Sequence, residues 1–252
     1  MSKKNKEGFE TRAIHAGQKA DPTTGAVMMP IYTSSTFEQE SPGVHKGFDY
    51  SRSINPTRKA FEECIASLEN GEVGFGFSSG VAAISACVEL LAPGDHVIAM
   101  NDLYGGTVRL FNEIKTLSQG IEVTYVDMTD IQNVLDAKTD KTKMIFVETP
   151  TNPLLRVVDL SAIADFAKSE GILSVCDNTF ASPYVQQPLS HGIDIVLHSA
   201  TKYLGGHSDL IAGALVIGKK DEELIARMAN IVNSLGPVTV SYTHLTLPTI
   251  LP

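Results

Sequence analysis

An amine, a carboxylate, a phenol and several hydroxyls each follow a short apolar run in this chain, and they could do chemistry if the fold brought them together. Lys202 lies five residues past the run Ile195–Leu197, with Ser199 and Thr201 beside it, whereas a surface lysine usually sits among other charges. An amine drawn into a dry pocket titrates lower and becomes a nucleophile. In the open, the same segment is a solvated loop. Asp177 closes the run Leu173–Cys176. It is a cap or an ion-pair partner, or, with a cationic ring nitrogen to hold, a counter-charge. Ser78-Ser79-Gly80 precedes a helical pattern, where unsatisfied amides and the positive dipole end favour an anion, although a serine there is also an ordinary N-cap. Tyr104 heads Gly105-Gly106-Thr107 after Met100.

The joint pattern is more specific than its parts. It asks for an aldehyde at Lys202, a phosphate at the helix start near Gly80 with the Ser199 and Thr201 hydroxyls, a pyridinium at Asp177 and a ring face at Tyr104. Pyridoxal 5'-phosphate carries all four.

The elements that must position these groups are legible as an alternation. Apolar runs at His96–Met100, Val123–Val126, Met144–Val147, Leu173–Cys176, Ile195–Leu197 and Ala214–Ile217 predict strands. Helical patterns are predicted from about Gly80 (Val81, Ile84, Val88 and Leu91 inward), and at Thr107–Leu117, Ile131–Leu135, Leu160–Ala167 and Leu224–Val232. A helix from Thr57 places Phe61, Cys64, Ile65 and Leu68 on one face, with Gly71 as its stop. Such alternation implies an α/β fold: a mostly parallel sheet with helices on both faces. Ligands of open sheets collect beyond the carboxyl ends of the strands, where Asn101–Thr107, Glu148–Pro153, Asp177–Thr179 and His198–His207 fall. Residues 1–56 lack a sustained period, hold turn formers at Asp21–Gly25 and Ser41–Gly43, and read as an extended arm. Residues 57–238 form the predicted α/β domain. From Ser241 the tail has neither period and contains two prolines, so residues 239–252 read as a fragment end.

Composition narrows the partners. The chain has 252 residues, 43% hydrophobic and 19% charged, which suits one large domain with appendages or two domains. A net charge of -9 repels a nucleic-acid backbone and an anionic membrane leaflet, so neither is an expected partner. Cys64, Cys87 and Cys176 form no CxxC and lie in apolar segments, and the first ten residues hold no apolar leader core, which together imply a cytoplasmic protein. His191, His198 and His207 show no metal-ligand spacing, so no metal is expected.

At these residues the sequence resembles the Cys/Met metabolism family of pyridoxal-phosphate enzymes, which holds cystathionine gamma-lyase, gamma-synthase and beta-lyase and methionine gamma-lyase. The resemblance runs from about Phe9 to Val238 through Thr11–Gly17, Tyr50-Ser51-Arg52, Asn55-Pro56-Thr57, Ser78-Ser79-Gly80, Tyr104–Thr107, Glu148–Pro153, Asp177-Asn178-Thr179 and Ser199–Lys202. It implies the large domain of a fold type I pyridoxal-phosphate-dependent transferase, like aspartate aminotransferase. It makes Lys202 the Schiff-base lysine and proton shuttle, Asp177 the partner of the ring nitrogen, and Tyr104 the stacking ring and a proton donor to sulfur. Ser79, the Gly80 and Val81 amides, Ser199 and Thr201 would hold the phosphate, and Asn152 the substrate carboxylate, with Tyr104 also at the substrate. Tyr50 and Arg52 would reach the phosphate of a neighbouring subunit, implying a homo-oligomer, a dimer of dimers. The implied reaction is gamma-elimination from, or gamma-replacement on, a sulfur amino acid. Gly106 is similar to the cystathionine enzymes rather than to methionine gamma-lyases. The resemblance further implies a C-terminal domain absent from this sequence. Alternatives are a non-catalytic fragment that still binds cofactor or a family partner, a methionine gamma-lyase or cystathionine beta-lyase, and an aminotransferase.

Overall fold

The computed structural model describes residues 7–218 and 221–240. The tail beyond residue 240 lies outside them. A short helix, α1 (Phe9–His15), and a long irregular segment lead to α2 (Pro56–Leu68). The start of α2 is strongly specified: Asn55 accepts the amides of Thr57 and Arg58, and Pro56 sits where no amide bond is lost. The helix ends three residues before the predicted stop at Gly71. Asn70 takes the left-handed turn at φ 58°, and the Gly71 amide closes back on the Ala66 carbonyl.

Among the described residues seven strands form one sheet. They are β1 (Val73–Phe77), β2 (His96–Met100), β3 (Glu122–Val126), β4 (Thr142–Glu148), β5 (Leu173–Asp177), β6 (Ile195–His198) and β7 (Gly213–Ile217), in the order β1-β7-β6-β5-β4-β2-β3. β7 runs antiparallel to both of its neighbours, and the other strands run parallel. The connecting helices are α3 (Gly80–Val88), α4 (Gly105–Arg109), which continues through a π-helical turn at Leu110–Lys115 into α5 (Thr116–Gln119), α6 (Ile131–Asp136), α7 (Leu160–Glu170), α8 (Ser182–Val185) and α9 (Glu222–Leu235).

Both faces of this sheet are covered. Along β7, Leu215 and Ile217 join the main core with α3, α7 and α9, while Ala214 and Val216 join a second core with Phe61 and Ile65 of α2. Alternation along one strand thus serves two helical layers. The chain has the fold type I α/β architecture. No helix among the described residues is long and apolar enough to cross a membrane.

β1 is absent from the apolar runs of the sequence because its pattern is Val-Gly-Phe-Gly-Phe. The glycines are there for proximity. A Cβ at Gly74 would lie 2.2 Å from the Glu62 carbonyl oxygen in α2. Gly213 performs the same service where β7 passes the start of α3, since a Cβ there would lie 2.1 Å from the Ser79 carbonyl oxygen. Backbone cannot swing aside as a side chain can. Gly213→Ala is therefore expected to destabilise the chain by about 1–3 kcal/mol, read as a lowered denaturant midpoint.

Val27, Met28 and Val44 of the arm are 72%, 57% and 51% exposed, so the segment contributes little to the core of its own chain.

Candidate active site

The carboxyl ends of β4, β5 and β6, the turn after β2 and the start of α3 enclose one cavity of about 260 Å³. Ser79, Gly80, Val81, Tyr104, Asn152, Asp177, Ser199, Thr201 and Lys202 all line it, drawn from segments far apart in sequence. Tyr50 and Arg52 do not. The Arg52 guanidinium stands 5.3 Å from the centre of the Tyr50 ring, and the two form a pair outside the cavity.

Ser79 caps α3 by accepting the Ala82 amide at 3.1 Å, and it lines the cavity as well. The Gly80 and Val81 amides remain among the helix's unsatisfied donors, at its positive end. Glycine is needed at 80 because a Cβ would lie 2.7 Å from that of Ser199. The Thr201 hydroxyl, also at this end, is engaged with the Ala212 backbone at 3.2 Å both as donor and as acceptor.

Asp177 ends β5 and is buried. Its Oδ1 accepts the Thr179 amide at 3.0 Å and the Thr179 hydroxyl at 2.5 Å, which leaves Oδ2 available. The Thr179 hydroxyl in turn accepts the Ser199 amide at 2.8 Å, tying the carboxylate to the Ser199–Lys202 loop. Burial raises the Asp177 carboxyl above its ordinary range, while the Thr179 bonds and the nearby His198 pull it down. Among the described residues no cation forms an ion pair with it. A buried carboxylate of this kind suits a cationic ligand.

Tyr104 is 46% exposed at the cavity mouth. Gly106 leaves room for its ring, since a Cβ there would stand 2.3 Å from ring carbon Cε1. Lys202 departs from expectation. It lines the cavity but is exposed rather than enclosed in a dry pocket, because its loop turns at the surface through the Lys202 amide to Ser199 carbonyl bond and the Gly206 amide to Lys202 carbonyl bond.

The structure adds residues to which the sequence assigned no role: Ile84, Glu148, Thr179, Phe180 and Ile211 also line the cavity. Glu148 and Thr179 stood in the predicted rim segments. The pairing of Glu148 with Tyr104, 44 residues apart, is a tertiary fact with no signal in spacing, whereas Thr179 bonds Asp177 across a local two-residue turn that the Asp-Asn-Thr spacing could have signalled. Ile211 lies in no periodic segment. His198, an adjacent histidine, is wholly buried and bonds Glu69 Oε1 at 2.6 Å, a structural pairing beneath the site.

A family model described as Cys/Met metabolism PLP-dependent enzyme matches residues 10–247, running past Val238 into the tail. A cystathionine beta-lyase of Coxiella burnetii is 53% identical over 94% of this chain and 61% of its own length. A cystathionine gamma-lyase of Dictyostelium discoideum is 48% identical over 94% of this chain and 61% of its own length. Among solved structures, the cystathionine gamma-lyase of Lactobacillus plantarum complexed with L-serine superposes with a TM-score of 0.93 at 47% identity, covering 96% of this chain and 62% of that one. The chain therefore spans somewhat under two thirds of the length of these relatives.

Proposed function

Because this chain belongs to the Cys/Met metabolism PLP-dependent enzyme family, we propose that its cavity is the cofactor half of an active site that breaks a carbon–sulfur bond in a sulfur amino acid, by gamma-elimination or gamma-replacement. The observation that carries the reading is the convergence of nine predicted residues on one cavity.

The residues present fit the family's cofactor. A glycine-lined helix start with free amides suits a phosphate, the uncompensated Asp177 a cationic ring nitrogen, Tyr104 a ring face and Lys202 an aldehyde. When bound, pyridoxal 5'-phosphate supplies a carbonyl for amines and a protonated ring that withdraws electrons from the substrate Cα. Asp177, with Oδ1 engaged by Thr179, would hold the ring nitrogen and keep it protonated. Lys202 Nζ is the group that would hold the cofactor's carbonyl, and the same amine would take the Cα proton and then shift a Cβ proton. The Tyr104 hydroxyl protonates the departing sulfur. Asn152 orients the substrate carboxylate.

A second reading, beta-elimination, is favoured by the 53% identity to a cystathionine beta-lyase. Product analysis separates the two. Cystathionine cleaved on the gamma side yields cysteine and 2-oxobutanoate, and cleaved on the beta side it yields homocysteine and pyruvate. Gamma-replacement is tested by adding a thiol acceptor. Release of neither keto acid and no replacement product with an added thiol, with the visible band of bound cofactor present, supports a cofactor-binding fragment without turnover.

Tyr50 and Arg52 lie outside the cavity on an arm with exposed apolar side chains, which supports their serving a second copy of the chain in a homo-oligomer. Arg52→Ala is expected to weaken cofactor binding about tenfold to a hundredfold, the worth of a charge-assisted hydrogen bond to a phosphate. Mixing Arg52→Ala chains with Lys202→Ala chains should restore part of the activity that each lacks, because mixed oligomers regain one intact site. No restoration, with mixed oligomers confirmed by sedimentation, would place Arg52 in its own chain's chemistry or in none.

A further inference from the structure

Two carboxyl groups share the floor of the cavity. Glu148 at the end of β4 and Asp177 at the end of β5 are paired positions in a parallel register, so their side chains leave the same face of the sheet on neighbouring strands. Both are buried, and both line the cavity. Among the described residues no ion pair joins either to a cation. Glu148 also holds the rim. Its Oε2 accepts the Tyr104 amide at 3.1 Å, and the Asn152 amide is a further donor to the same carboxyl.

Adjacent buried carboxylates cannot both remain ionised without a cation between them. Asp177 has the better claim to the charge, because its Thr179 donors include a hydroxyl at 2.5 Å, closer than the Tyr104 amide at 3.1 Å on Glu148, and His198 acts in the same sense. Burial, with the charges of Asp177 and Asp102, pushes the Glu148 carboxyl up to about 8. Among the described residues, the other charged or titratable side chains lining the cavity are Tyr104 and Lys202.

We propose that Glu148 is a positioning residue that bears a proton at neutral pH, fixing the Tyr104 and Asn152 backbone while leaving the floor with one negative charge, on Asp177, for one cationic ring. The ring in this statement rests on the cofactor reading above; the proton does not. A protonated carboxyl still accepts amides through its carbonyl oxygen, so both duties fall to one side chain.

Infrared titration of the cofactor-free chain tests the proton. A carboxylic-acid carbonyl band is expected at neutral pH in the wild type, absent in Glu148→Gln and titrating at lower pH in Asp177→Asn. Stability gives a second readout. A native carboxyl that titrates near 8, against an ordinary 4.5, adds stability that is complete below 4.5 and lost as pH rises through about 8. Glu148→Gln should make that decline shallower. With cofactor, Glu148→Gln should bind within about twofold of wild type, and Glu148→Ala, which lacks the acceptor, about tenfold more weakly. Absence of the acid band, or an unchanged pH slope in Glu148→Gln, overturns the proposal. A wild-type chain that binds no cofactor overturns the cofactor reading instead, and the infrared result still decides the proton.

Discussion

Replacing Lys202 with alanine is expected to remove the absorption band of the lysine-linked cofactor and to lower turnover of cystathionine by at least about 10³–10⁴-fold. The size follows from the number of duties on one atom. In the proposed reaction Nζ serves as covalent anchor, base at Cα and carrier of the proton at Cβ, and among the described residues no other amine lines the cavity. Asp177 and Glu148 are committed to the floor, where their hydrogen bonds hold them to Thr179 and to Tyr104. The exposure of Lys202 sharpens the test, because an added small amine can enter from solvent and take over the proton transfer. Partial rescue by such an amine, rising with its basicity, is expected. Full turnover in Lys202→Ala without added amine would remove the basis of the reaction assigned to this cavity.

Asp177→Asn is expected to raise the cofactor dissociation constant by two decades or more, the equivalent of the about 3–5 kcal/mol lost when one partner of a buried ion pair is removed. The substitution is well controlled. Asparagine keeps an oxygen for the two Thr179 donors, so the loop should hold its place while the charge disappears. The cofactor-free chain should respond in the opposite sense. Its carboxyl is raised by burial and sits beside Glu148, so the neutral isostere relieves a penalty, and the unfolding midpoint should stay level or rise. Weaker cofactor binding together with undiminished stability would mark Asp177 as a ligand group. A parallel loss of both would mark it as structural.

The two effects depend on different parts of the fold. Lys202 projects from a surface turn after β6, whereas Asp177 stands at the end of a buried strand flanked by β4 and β6. That contrast was not legible in spacing. Both residues follow apolar runs, and the sequence places each at a rim without saying how far the rim stands from water.

The chain's alternation of apolar runs and amphipathic patterns determined an α/β fold, the rim on which the chemistry falls, and the identities of the amine, carboxylate and phenol. Local physics suffices for these, because strand and helix periods and the caps at Asn55 and Ser79 are written within a few residues. Tertiary structure alone decided that Val73–Phe77 is a strand, since its glycines make sense only against the backbone of α2. It alone set Glu148 beside Asp177, placed Tyr50 and Arg52 outside the cavity and left Lys202 in reach of solvent. Each of these depends on a neighbour distant in sequence, and burial, charge coupling and close approach exist only once the chain has folded back on itself.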